Sequence, residues 1–136
     1  MKKFLLAAAV IACSIPAAAQ QVAVGEGDWS GLPMMRFTDV KTIPVKTVEK
    51  IRQLVANGEC QIPGVSKRKV DMTVPFIVRF NAKGGVENLV VRKIGCAKAE
   101  SILASLALGL VWSGNFKPSG ENQTGWYQSE LSFTSS

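Results

Sequence analysis

The chain has 136 residues, with 16 lysines and arginines against 10 aspartates and glutamates, and no histidine. The missing histidine removes Ser-His and Cys-His nucleophile pairs, histidine general bases and histidine metal ligands together. A formal charge of +6 favours acidic partners only weakly; the one dense basic run, Lys67-Arg68-Lys69, has no aromatic residues interleaved, which argues against a nucleic-acid surface.

Met1, Lys2 and Lys3 form a positive start, Phe4 to Ile15 an apolar run, and Pro16 with three alanines a small-residue end. That is the three-part pattern of a secretory signal peptide over residues 1–19, cut after Ala19. A membrane-spanning helix needs roughly 20 mostly apolar residues, and this run stops short of that. Val10-Ile11-Ala12-Cys13 also resembles a lipobox, so lipid anchoring at Cys13 is the minor alternative. Cleavage leaves about 117 residues from Gln20 and lowers the formal charge from +6 to +4. This is the size of one domain. Two cysteines then remain, Cys60 and Cys96, and export to an oxidising compartment predicts their pairing. A loop of about 36 residues closed in this way is worth roughly 4 kcal/mol by the chain-entropy argument.

Residues 20–44 carry Gly25, Gly27, Gly31, Pro33 and Pro44 among scattered apolar residues, and read as an extended lead-in. Trp29, Met34, Met35 and Phe37 could pack onto the domain but form no pattern. Thr47 is the expected N-cap of a short helix from Val48 to about Asn57, with Val48, Ile51, Leu54 and Val55 on one face and Asn57-Gly58 as its stop. Cys60 then opens a turn-rich stretch. From Met72 to Phe80, apolar residues alternate strictly with others, the period of a strand with one buried face. Pro75 lacks a ladder donor and belongs near an unpaired beginning or an edge. Asn81 to Gly85 is a hairpin loop, and Val86 to Ile94 the returning strand. A helix follows from Ala97 to Trp112, with Ala99, Ile102, Leu103, Leu106 and Leu110 as the stripe facing the sheet. The last strand runs from about Gly125 to Phe133, with Tyr127, Ser129, Leu131 and Phe133 on one face.

The order helix, strand, strand, helix, strand predicts an α+β two-layer sandwich. Its sheet is expected to be small, antiparallel and three-stranded (hairpin, helix, final strand), covered by one long helix, with the short helix N-terminal to it. Catalysis is not expected: the three aspartates are far apart and the glutamates lie in different elements. Gly84-Gly85 is not followed by a phosphate-loop pattern, and Cys60 and Cys96 lack C-x-x-C spacing. No cofactor or metal is expected.

From Val74 onward the chain resembles the C-terminal domain of the TonB family, the periplasmic end of an energy transducer. The resemblance is carried by Val74-Pro-Phe-Ile-Val-Arg-Phe80, the glycine turn, Val86 to Ile94 and Gly95-Cys96. It continues through the alanine- and leucine-rich helix to Trp112, Phe116-Lys117-Pro118 and Leu131-Ser132-Phe133. It makes residues 45–136 a TonB C-terminal-like domain in the periplasm and implies a binding module rather than an enzyme. Such domains capture an extended segment, the TonB box, of an outer-membrane transporter by strand addition. Carried over, the partner-binding edge is Trp126, Tyr127, Gln128, Ser129, Glu130 and Leu131, with Gln128 and Glu130 pointing away from the core. The transducers' uncleaved membrane helix, long proline-rich spacer and Tyr-Pro dipeptide before the first helix have no counterpart here beyond Ile43-Pro44. The expected partner is thus a protein or peptide of the cell envelope, such as a TonB-dependent transporter, in transport across the membrane. The rival expectation is a structural, self-associating envelope protein that forms a homodimer through the same edge.

Overall fold

The computed structural model describes residues 21–35, 43–113 and 125–135. In chain order they form β1 (Gln21–Gly25), α1 (Val45–Ala56), β2 (Val70–Phe80), β3 (Val86–Arg92), α2 (Ala97–Ser113) and β4 (Trp126–Ser135). The leader, Cys13, Phe37 and Phe116-Lys117-Pro118 lie outside the described residues.

The sheet corrects the expectation. It is four-stranded and mixed, in the order β1-β3-β2-β4, and not a three-stranded antiparallel sheet. The added strand is Gln21–Gly25, inside the stretch read as lead-in, and it pairs in parallel with β3, Val22 opposite Leu89 and Val24 opposite Val91. Five residues with two valines and a terminal glycine carry little local strand signal. What makes them a strand is the edge of β3, a tertiary partner that overrides weak propensity. The class remains α+β.

The hairpin of β2 and β3 follows its alternation closely. Val70, Met72, Val74, Phe76, Val78 and Phe80 are buried on the helical face, while Asp71, Thr73 and Arg79 are exposed. β2 also pairs antiparallel with β4 over its full length, from Val70 opposite Ser135 to Arg79 opposite Trp126. Pro75 therefore sits in the middle of a central strand. It is tolerated because pairing with β3 begins only at Phe76 opposite Val91, so the missing N–H falls where that ladder has ended. A bulge between Arg79 and Phe80 lets the hairpin turn, and Asn81 Oδ1 closes it by accepting from the Lys83 and Gly85 N–H groups.

Both helices cover one face. α1 starts three residues earlier than its pattern suggests, because Pro44 serves as N-cap with its fixed φ of −60° and the Thr47 N–H donates to the Pro44 carbonyl. Its end is a Schellman motif: Gly58, at φ +76°, donates to the Val55 carbonyl and Glu59 to the Leu54 carbonyl. α2 presents Ala99, Leu103, Ala107 and Val111, with Glu100 and Ala104, to the core, while Ile102, Leu106 and Leu110 are only half-buried. The expected stripe is thus rotated. A helix apolar nearly all round does not select its own face, and the alanines allow closer approach to the sheet than leucines would.

The core is one cluster, with Phe76, Phe80 and Phe133 fully enclosed beside Ile51, Leu89 and Leu103. Each such side chain stabilises by about 1.5–3 kcal/mol relative to exposure. Cys60, just past α1, and Cys96, just before α2, stand at disulfide distance with their Cα atoms 5.7 Å apart. Lys98 pairs with Glu59 across the same junction. The turn from β3 into α2 is fastened by Glu100, whose Oε2 accepts from the N–H groups of Ile94 (2.6 Å) and Gly95 (3.0 Å). Among the described residues, no helix is long and apolar enough to cross a membrane.

Candidate partner-binding edge

β4 is the outer strand beside β2, and its side chains divide as the alternation predicts. Tyr127 and Leu131 are buried; Tyr127 meets Phe80 edge-on with ring centroids 5.7 Å apart. Ser129 is half-buried on the same side, whereas Trp126, Gln128 and Glu130 belong to the opposite face, Glu130 exposed. The apolar members thus anchor the strand, and Gln128 and Glu130 stay outside the core.

The backbone supplies the chemistry of this edge. Successive residues of a strand aim their N–H and C=O groups to opposite sides. Gln128 aims outward: its N–H donates to the Pro33 carbonyl at 2.9 Å, and its carbonyl accepts from the Met35 N–H at 2.7 Å. By that alternation Glu130, Ser132 and Thr134 also aim outward, and among the described residues no strand pairs with them.

Residues 33–35 are therefore a short strap already docked on the edge, with Met34 in a parallel bridge to Gln128. The Gln128 side chain adds to the grip, its Nε2 donating to the carbonyls of Leu32 (2.6 Å) and Ser30 (3.2 Å). Met35 is buried in the core cluster at 2% exposure, while Met34 is half exposed. No periodicity announces this contact. Its only signal is a methionine pair just after a proline, which composition cannot tell from an ordinary loop.

The strap reaches β4 from the far edge of the sheet, since β1 ends at Gly25 beside β3. The segment between Gly25 and Pro33 thus crosses the face opposite the helices, a span of about 19 Å for the four strand spacings from β1 to the strap. On the way Trp29 lies under the Arg92 guanidinium, 4.3 Å from ring centroid to Cζ, a cation–π contact. Asp28 shapes the turn by accepting from the Ser30 hydroxyl and N–H. The first of these bonds is the main reason its carboxyl titrates below the usual range.

On this face Arg79 and Glu87 pair at 3.7 Å, both half exposed. Among the described residues, no three side chains of the histidine, cysteine, aspartate or glutamate kind converge as a metal-binding group. What the arrangement offers is hydrogen-bonding backbone at a strand edge with one extended segment already seated. Comparison with known proteins adds no relative: no family model, no curated protein and no solved structure matches the chain.

Proposed function

We propose that this chain is an exported binding module of the periplasm that takes an extended segment of an envelope protein by strand addition on the outer edge of β4. The observation that carries the reading is the strap: Gln128 already accepts and donates backbone hydrogen bonds to residues 33–35. The neighbouring outward groups of Glu130, Ser132 and Thr134 continue the same ladder. Strand addition draws affinity from such groups and selectivity from alternate side chains. The resemblance to TonB C-terminal domains supports the same edge and suggests a TonB-box segment of an outer-membrane transporter as the partner. The module acts by binding and not by catalysis.

The test is titration of the isotope-labelled exported protein with TonB-box peptides, read by amide NMR shifts. Shifts concentrated on residues 126–134 are expected. A Glu130→Pro variant, which removes one outward donor and leaves the β2 ladder intact, should weaken binding at least several-fold. A well-folded spectrum that no such peptide perturbs would refute the transporter reading.

A further inference from the structure

The sheet has a second edge. The Lys93 N–H donates to the Gly25 carbonyl, so Gly25 aims its backbone at β3. By alternation Ala23 and Gln21 do the same, and Val22 and Val24 aim their N–H and C=O groups away from the sheet. Among the described residues, nothing guards this edge in the usual ways. Gln21–Gly25 contains no charge and no proline, and Val22 and Val24 remain 44% and 43% exposed.

Beside the strand lies a groove of about 410 Å³ between β1 and α2, floored by the two valines and walled by Ser101, Ala104, Ser105 and Leu108. Its one carboxylate, on Glu100, is buried and held by the Ile94 and Gly95 N–H groups. The rest of the lining is apolar or neutral.

We propose that this edge pairs with the same edge of a second copy of the chain, β1 against β1, antiparallel about a two-fold axis through Ala23. The geometry is self-complementary. The outward residues are two apart, so a two-fold at Ala23 sets Val22 opposite Val24 of the other copy, and Val24 opposite Val22. Each is a hydrogen-bonded pair, and together the two pairs satisfy every outward backbone group of Val22 and Val24 on both copies. A neutral strand meets a neutral strand, with no like charges opposed. The axis stands perpendicular to the sheet, so both α2 helices lie on one face and the two grooves meet over a patch of four valines.

A foreign peptide would gain the same backbone bonds and only one groove. An isologous pairing adds the second, and it closes, which protects an unguarded edge from open-ended stacking. The ladder is short, so the dimer is weak and reversible, at the small end of specific interfaces. This surface is on the opposite edge from β4, and its failure would leave the peptide-binding reading untouched.

The full chain, expressed with its leader and purified from the compartment it reaches, is followed by sedimentation equilibrium across concentrations from about 1 µM to about 1 mM, the range of weak association. The expected mass rises from that of one copy toward two. Val24→Pro removes an outward donor only, and should hold the protein at the mass of one copy with an unchanged circular dichroism spectrum. Val22→Lys does the same by charge, should the proline disturb folding. Ala23→Cys places two cysteines at the axis, where facing Cα atoms are about 4.5 Å apart and within disulfide reach. Mild oxidation should then link two copies, and Val24→Pro should suppress the link. A single-copy mass at every concentration overturns the proposal. So does a dimer indifferent to Val24→Pro, or an Ala23→Cys crosslink to some other protein.

Discussion

Replacing Gly64 with alanine tests how the start of β2 is held. Gly64 has φ +83°, and its carbonyl accepts from the Asp71 N–H at 2.8 Å. A Cβ built there would stand 2.1 Å from the Asp71 carbonyl oxygen, a backbone atom without a flexible side chain's means of moving aside. The left-handed conformation costs an L-residue about 1–2 kcal/mol. Relieving the overlap also breaks the Gly64–Asp71 bond, about 1 kcal/mol more, and disturbs the fully buried Val70 beside it. The total is roughly 2–3 kcal/mol before any loss around Val70, or about 8–12 °C in Tm for a domain of this size. Gly84 is the control: its φ is +84°, but an added Cβ meets nothing within 4 Å. Gly84→Ala should therefore lose only that conformational cost of about 1–2 kcal/mol, roughly 4–8 °C. Thermal unfolding of both variants by circular dichroism, disulfide intact, reads the difference. Equal losses would show that the overlap relaxes freely and that β2 is not fixed by this contact.

Cys60→Ser and Cys96→Ser should each lower Tm by a similar amount, up to about 4 kcal/mol of stability, with the double variant no worse; two thiols in the unfolded, unreduced protein would remove the basis for this. Glu100→Ala should cost about 2–4 kcal/mol because it strands two N–H groups at the α2 start, and Glu100→Gln, which keeps an oxygen acceptor, should cost less in the same melts. Glu49 titrates below the usual carboxylate range, chiefly because Arg52 donates to it along α1. A depressed folded-state value gives stability that is present above the unfolded pKa and lost as pH falls through the folded one. Glu49→Gln should therefore flatten the acid limb of the stability profile near and below pH ~4, which denaturation melts across acid pH would check.

What could be read from the chain follows the range of each signal. The β2–β3 hairpin is legible because nine residues from Met72 to Phe80 keep period two and a glycine turn sits at their end. α1 is legible at its C-terminus, where Asn57-Gly58 makes the Schellman motif, and less so at its N-terminus, where Pro44 displaces the hydroxyl cap that Thr47 advertises. α2 is legible as a helix, but its buried face is not, since leucines surround it and the sheet selects the alanines. β1 was hidden because its stabilising partner lies more than sixty residues away at Asn88 to Arg92. The β4 site residues are placed as the alternation suggests, with Gln128 and Glu130 outside the core. The strap that occupies the site's centre depends on one buried methionine and one glutamine side chain, contacts with no periodic trace.

Because a single continuous segment is fastened to β3 at Gly25 and to β4 at Gln128, the two edges of the sheet share one opening event. Detaching that segment exposes the Lys93 and Gln128 amides together, even though the three strands β3, β2 and β4 lie between the edges they serve. Hydrogen exchange should place these amides, with Met35, in one cooperative unit of lower opening free energy than Val74 or Phe76 at the centre of the sheet. Any occupant of one edge that requires the segment to lift then changes the affinity of the other edge, and the second occupant acts back on the first by the same factor.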